Sequence, residues 1–291
     1  MKRRDSFSAL ALVAGTIGAD AAPVFSGADR AGNHGRASRL GIGVGRPRII
    51  VSLTGADRAG MVAQARRIVG RADVDIVELR MDHLAAPGDA DALAGTVAAV
   101  AGLIEDRPLL ATFRSRREGG ERQLSPQGYA ALYRAVLPTG LAAGFDLEQA
   151  MLADDSVAAL MAQAQAAGIA VIVSHHDFGG TPSVDEMLAT LRRQHASGAD
   201  ICKMAVMPHD AGDVLRLLDA TRRMRTLEPS RPLITMAMGG LGAVSRMAGE
   251  VFGSAASFGA LGGGSAPGQI EVAELRAGID TLAGALGGGR T

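Results

Sequence analysis

The sequence predicts a single (β/α)8 barrel. Short β-type runs alternate with Ala- and Leu-rich helical stretches from Arg46 onward. The alternation repeats roughly every 30 residues and reaches eight units over about 245 residues, which suits a closed barrel better than an open doubly wound sheet. No GxGxxG follows the first strand, so the usual mark of a dinucleotide-binding sheet is missing.

In chain order, the run 48–54, built on Ile49-Ile50-Val51-Ser52-Leu53, leads into a helical stretch at 57–69. The runs 75–81 and 109–115 are followed by helical stretches at 90–104 and 125–136, and 141–148 by one at 154–167. Run 169–176, with Val171-Ile172-Val173, precedes 184–194, and 201–206 precedes 210–226. The last two units pair 233–238 with a helix at 242–252 and 256–261 with a helix at 270–286. The glycines at 262–264 form a Gly-rich loop without a P-loop Lys and read as a flexible lid.

Composition fits one large, well-cored domain. The chain has 291 residues, a formal net charge of +0, 47% hydrophobic residues and one cysteine, so a core rather than disulfides must hold it. Balanced charge and 3% aromatics leave neither the field nor the stacking surfaces of a nucleic-acid binder.

Residues 1–22 read as a signal peptide: Lys2, Arg3 and Arg4 are basic, an apolar stretch too short to span a bilayer follows, and Ala19-Asp20-Ala21 supplies small residues for cleavage. Arg3-Arg4 with Phe7 loosely matches a twin-arginine signal, although Asp5 departs from it. Residues 23–45 read as a linker and 46–291 as the catalytic barrel. The expectation is export to the periplasm, with no membrane attachment once mature; without the signal the chain is cytoplasmic.

Active sites of such barrels lie at the C-terminal ends of the strands. The second strand ends Glu78-Leu79-Arg80-Met81-Asp82, and side-chain alternation puts Glu78, Arg80 and Asp82 on one face. Arg114 ends the third strand, and the loop Ser115-Arg116-Arg117-Glu118-Gly119-Gly120 can return Glu118 toward it, with Arg116 and Arg117 a solvated charge run. Ser174-His175-His176-Asp177 tempts with a metal site, yet adjacent strand residues face opposite ways, so no metal is expected and one histidine enters the pocket. Such a histidine can serve as general acid and base.

Of the 30 cationic residues only Lys2 and Lys203 are lysines. Lys203 interrupts Ile201-Cys202-Lys203-Met204-Ala205-Val206, an otherwise uncharged strand. A guanidinium cannot replace an amine that condenses with a carbonyl, and a buried amine beside other cations is pushed toward its neutral, nucleophilic form. Met236 and Met238 read as core filler, Arg246 as a bidentate carboxylate clamp. Ser265-Ala266-Pro267-Gly268-Gln269 reads as a lid that excludes water.

Together these residues resemble the type I 3-dehydroquinate dehydratases. The resemblance covers most of residues 46–280 and rests on Ile49-Ile50-Val51-Ser52-Leu53, Glu78-Leu79-Arg80-Met81-Asp82, Phe113-Arg114-Ser115 with Glu118-Gly119-Gly120, His176-Asp177-Phe178, Lys203-Met204-Ala205-Val206-Met207-Pro208, Ser245-Arg246 and Ser265-Ala266-Pro267-Gly268-Gln269. It implies a cofactor-free, metal-free, homodimeric lyase that converts 3-dehydroquinate to 3-dehydroshikimate. By resemblance Lys203 forms the Schiff base, His176 is the general acid/base, and Glu118 holds His176 or the arginines. Ser52, Glu78, Arg80, Arg114, Arg246, Ser265 and Gln269 match substrate-binding positions, and no role carries over to His175. The family serves aromatic amino-acid biosynthesis through the shikimate pathway in the cytoplasm; an exported member points to quinate catabolism. The alternatives are a class I aldolase or transaldolase, separated by assaying retro-aldol cleavage, and a non-catalytic exported solute-binding protein, which has no use for a buried lone amine.

Overall fold

The computed structural model describes residues 35–43 and 45–287. The expected signal segment and residues 23–34 of the expected linker lie outside the described residues.

The elements run β1 (Arg48–Leu53), α1 (Arg58–Arg66), β2 (Ile76–Arg80), α2 (Ala90–Ala101), β3 (Leu109–Thr112), α3 (Pro126–Val136), β4 (Ala142–Glu148), α4 (Asp155–Ala166), β5 (Ala170–Asp177) and α5 (Val184–Ala196). They continue with β6 (Ile201–Val206), α6 (Ala211–Leu227), β7 (Leu233–Ala237), α7 (Ala243–Met247), α8 (Gly249–Phe252), β8 (Ala256–Ala260), β9 (Ile270–Glu271) and α9 (Val272–Gly287). The sheet is parallel throughout, in the order β7-β6-β5-β4-β3-β2-β1-β8-β9. A bridge between Leu233 and Ser254, and the Ala255 N–H donating to the Leu233 carbonyl at 2.7 Å, bring β8 back against β7 and close the barrel.

Helices start where a short polar side chain can take an orphan amide. Asp57, Asp89, Ser125, Asp154, Ser183 and Asp210 each accept a backbone N–H of the first turn, and Ser183 with Glu186 completes a reciprocal capping box.

Alternation along the strands builds two cores. Outward residues such as Ile49, Val51, Val77, Leu79, Phe145, Val171 and Met204 pack under the helices. Inward residues near the strand starts, including Ile50, Ile76, Leu110, Ile172, Ile201 and Ile234, fill the barrel floor. Beyond that floor the inward positions turn polar, and the pocket begins there.

Four expectations are corrected. Residues 35–43 are not linker: the 3-10 helix Gly35–Leu40 drives Ala37, Leu40 and Ile42 into the floor cluster, and Arg36 pairs with Asp200 at 2.8 Å. Leu40 occupies the space beside Gly144, where a Cβ would stand 2.6 Å from it. The third strand ends at Thr112 rather than Ser115, because side chains take the next three amides. Phe113 N–H donates to Tyr133 Oη, Arg114 N–H to Asp82 and Ser115 N–H to Glu148, at 2.8, 3.1 and 2.7 Å. The stretch 242–252 breaks at Ala248 into α7 and α8, and 270–286 gives its first two residues to β9. Among the described residues no helix is long and apolar enough to cross a membrane.

Candidate active site

The upper, inward residues enclose a cavity of about 490 Å3, mouth included, lined by Glu78, Arg80, Arg114, Glu118, His176, Lys203, Arg246, Ser265 and Gln269 among others. Every site residue expected from sequence is there except Ser52, which stands one contact away. Its hydroxyl donates to the Glu78 carboxylate and accepts from Ser265 Oγ at 3.0 Å. Thr112 Oγ1 donates to the same carboxylate at 2.8 Å, so Glu78 is fixed from both neighbouring strands.

Lys203 is buried on β6. Its backbone is locked by Gln194, whose amide oxygen accepts the Lys203 N–H at 3.0 Å and whose Nε2 donates to the Lys203 carbonyl at 2.9 Å. Nζ donates to Asp146 Oδ2 at 2.7 Å and lies 4.4 Å from the centroid of the Phe258 ring. The expectation of an amine set among cations is therefore incomplete: its direct partner is an anion. Asp146 also accepts from Arg114 Nη2 at 2.8 Å and Ser174 Oγ at 2.5 Å. Burial opposes the Asp146 charge, but Arg114 and Lys203 outweigh it and hold the carboxyl well below the usual carboxylate range.

His176 and Glu118 form the second unit. His176 Nδ1 lies 2.9 Å from Glu118 Oε2, and the His176 backbone N–H donates to the same oxygen at 3.2 Å. An ionised carboxylate only accepts, so Nδ1 carries the hydrogen and Nε2 presents its lone pair. Burial opposes the Glu118 charge too, yet the hydrogen bond from His176 and the Arg114 cation hold it at about 2. Burial and the Arg114 cation lower His176 to about 3 against the pull of Glu118, so the ring is neutral at working pH. His175, one residue earlier on the opposite face of the strand, is 37% exposed against 12% for His176, does not line the cavity, and stays 3.8 Å from Glu118.

The arginines divide by partner. Arg80 forks onto Asp82 with two bonds of 2.9 Å, and Arg114 reaches Glu118 and Glu148 at 3.4 and 3.3 Å besides Asp146. Arg246 has no acidic partner among the described residues. It is 1% exposed, its Nε is unpaired, and Nη2 donates to the Pro267 carbonyl at 3.1 Å. Burial alone pulls its pKa down to about 10. A buried guanidinium facing a cavity without a counter-charge is a place for a ligand's carboxylate. The loop 265–269 is tied to itself, Ser265 N–H donating to Gln269 Oε1 at 2.9 Å and Gln269 Nε2 to Ser265 Oγ at 3.0 Å, and to the barrel through Ser52 and Arg246.

Comparison with known proteins bears on this arrangement. Residues 49–285 match the type I 3-dehydroquinase family. The chain belongs to that family. It is 47% identical over 237 residues to the 3-dehydroquinate dehydratase of Salmonella agona, covering 81% of this chain and 93% of that protein. The structure of the type I 3-dehydroquinate dehydratase of Clostridium difficile with covalently modified comenic acid superposes with a TM-score of 0.80 at 38% identity, over 84% of this chain and 95% of that one. The 3-dehydroquinate dehydratase of Enterococcus faecalis gives 0.77 at 37% identity, over 83% and 96%.

Within this 3-dehydroquinase, sequence reading missed Asp146 and Glu148 on β4 and the Phe258 ring on β8. The signal for the two acids was present: they alternate at a strand end as Glu78 and Arg80 do. Glu148 accepts from Ser115 N–H, and burial together with nearby Glu118 raises its pKa despite Arg114. Phe258 follows no polar pattern and becomes visible only once the barrel closes.

Proposed function

We propose that this 3-dehydroquinase removes water from 3-dehydroquinate to give 3-dehydroshikimate through a Schiff base on Lys203, with His176 as general acid and base. The observation that carries this reading is one cavity holding a buried amine, an imidazole whose Nε2 has no partner among the described residues, and a buried arginine without an acid partner among them. Arg246 takes the substrate carboxylate, and Glu78, Arg80, Arg114, Ser265 and Gln269 bind the rest of the ring, with Ser52 steadying Glu78 and the lid.

Condensation of Lys203 with the 3-keto group forms an iminium that acidifies the adjacent C2–H. His176 Nε2 removes that proton, and the electron pair is stored as an enamine. Collapse of the enamine expels the C1 hydroxyl, which leaves as water with the proton His176 returns. A second water then hydrolyses the imine, releasing product and amine. Glu118 keeps His176 in the tautomer and orientation both steps require. The Clostridium difficile relative, solved with covalently modified comenic acid, supports covalent chemistry by a member of this family.

The test is direct. Purified enzyme should convert 3-dehydroquinate to an ultraviolet-absorbing conjugated product, and borohydride with substrate present should leave one adduct, mapped by mass spectrometry to Lys203. Lys203→Arg keeps the charge but cannot condense, so it should resist labelling and lose nearly all turnover. Robust turnover by that variant sinks the Schiff-base route.

A further inference from the structure

We infer that Asp146 is the resident counter-ion of the reacting Lys203 nitrogen and keeps the imine in its protonated, iminium form through the reaction. The inference rests on the Schiff-base reading above.

Geometry makes Asp146 a fixed partner. Its carboxylate is fully buried, one oxygen 2.7 Å from Nζ and the other held by Arg114 at 2.8 Å and Ser174 at 2.5 Å. Its backbone carbonyl accepts from Tyr133 Oη at 2.6 Å, so neither end of the residue is free to swing away.

Charge accounting explains why an anion belongs there. Ammonium plus ketone gives iminium plus water: two of the three ammonium protons leave with the carbonyl oxygen, the third stays on nitrogen, and the nitrogen carries one positive charge before and after. During attack His176 Nε2 can hold the travelling proton and return it to the departing carbinolamine hydroxyl. Asp146 is held ionised by Arg114 and Lys203 against its burial, so it is an anion throughout rather than a proton acceptor. A carboxylate that pairs with the ammonium therefore pairs equally with the iminium.

The surroundings would otherwise favour a neutral imine. Arg114 faces the nitrogen's partner from just beyond β3 and already engages Glu118 and Glu148, while Arg80 lines the cavity engaged by Asp82 and Arg246 lines it without an acidic partner among the described residues. His176 is neutral. Of the acids in the lining, Glu78 is held by Ser52 and Thr112 and Glu118 by His176, so without Asp146 the Schiff-base nitrogen would lose its direct anionic partner beside Arg114, and its loss of a proton would remove the electron sink that acidifies C2–H.

The experiment compares wild type with Asp146→Asn, which keeps size and polarity but removes the charge. We expect kcat to fall by about 100-fold or more with a much smaller change in KM. Borohydride labelling of the variant should survive at acid pH and fade as pH rises, with its midpoint at least tenfold higher in proton concentration than for wild type. A role confined to packing would scale labelling equally at every pH, and superimposable pH profiles overturn the inference. If the variant does not fold, isotope-edited infrared spectra of wild type with product decide: the C=N stretch of an N-protonated imine shifts in D2O, and an unshifted band overturns the inference. Absence of any wild-type adduct on Lys203 would instead reject the Schiff-base reading itself.

Discussion

Glu118 meets both histidines of β5, but on unequal terms. It bonds His176 at 2.9 Å with good hydrogen-bond geometry and meets His175 only at 3.8 Å, beyond a hydrogen bond. Only His176 opens on the cavity, because neighbouring strand residues point to opposite faces. His176→Ala should therefore lower kcat by about 10²–10⁴-fold, the range a positioned general acid/base supplies, with substrate affinity largely kept. His175→Ala should cost far less, through packing of the outer side of Glu118. Steady-state kinetics of the two variants checks this, and equal losses would sink the assignment. The same logic explains why neutral His176 coexists with ionised Glu118: burial and Arg114 keep the resting ring neutral against the pull of Glu118, so that Nε2 is free to take a proton.

At the scale of elements, the site is a set of strand ends plus one loop, and the two were unequally legible. Strand polarity was readable because an inward position has only two fates, floor or pocket, and period-2 alternation in 78–82 showed which applied. The same period at Asp146 and Glu148 carried equal information and went unread at the end of the run 141–148. The end of β3 was not readable, since the groups that take its amides come from Tyr133, Asp82 and Glu148, distant in sequence. The floor plug was hidden for a related reason: three apolar side chains within a Gly-, Arg- and Ser-rich segment have no period and gain meaning only against the barrel floor they cover. The lid loop depends on Gly268, at φ 72°, where a Cβ would lie 2.2 Å from the Gly239 carbonyl oxygen. Gly268→Ala meets both a left-handed backbone and a backbone clash, so the loop must shift and carry Ser265 and Gln269 with it. We expect KM to rise by about tenfold or more, the effect of lost uniform binding, with the melting temperature little changed. An unaltered KM in a folded variant would show that the lid position does not matter.

Across the whole molecule, the barrel divides into an apolar floor that closes the fold and a charged upper half that opposes it by burying ions. Those ions couple stability to pH, and the sign is fixed by the direction of each shift. Glu118, lowered from 4.5 to about 2, contributes stability that is complete above its ordinary value and disappears as pH falls through the folded one. Asp82 and Asp146 act in the same direction, and Glu148, raised, acts weakly against them. His176, lowered from 6.5 to about 3, is neutral in the folded chain where the unfolded chain binds a proton, so its contribution is full above 6.5 and drains away between 6.5 and 3. The carboxylates alone would leave stability flat down to about pH 5, whereas His176 starts the decline more than a unit earlier, joined by His83, which burial and Arg80 also lower. Melting temperature should therefore fall already between pH 6.5 and 5, and His176→Ala should make that interval shallower, leaving the part that His83 contributes and the steep loss at lower pH. Calorimetry of both proteins across this range is decisive: equal slopes above pH 5 would mean that His176 is not held neutral by the fold, and that its proton is set by Glu118 instead.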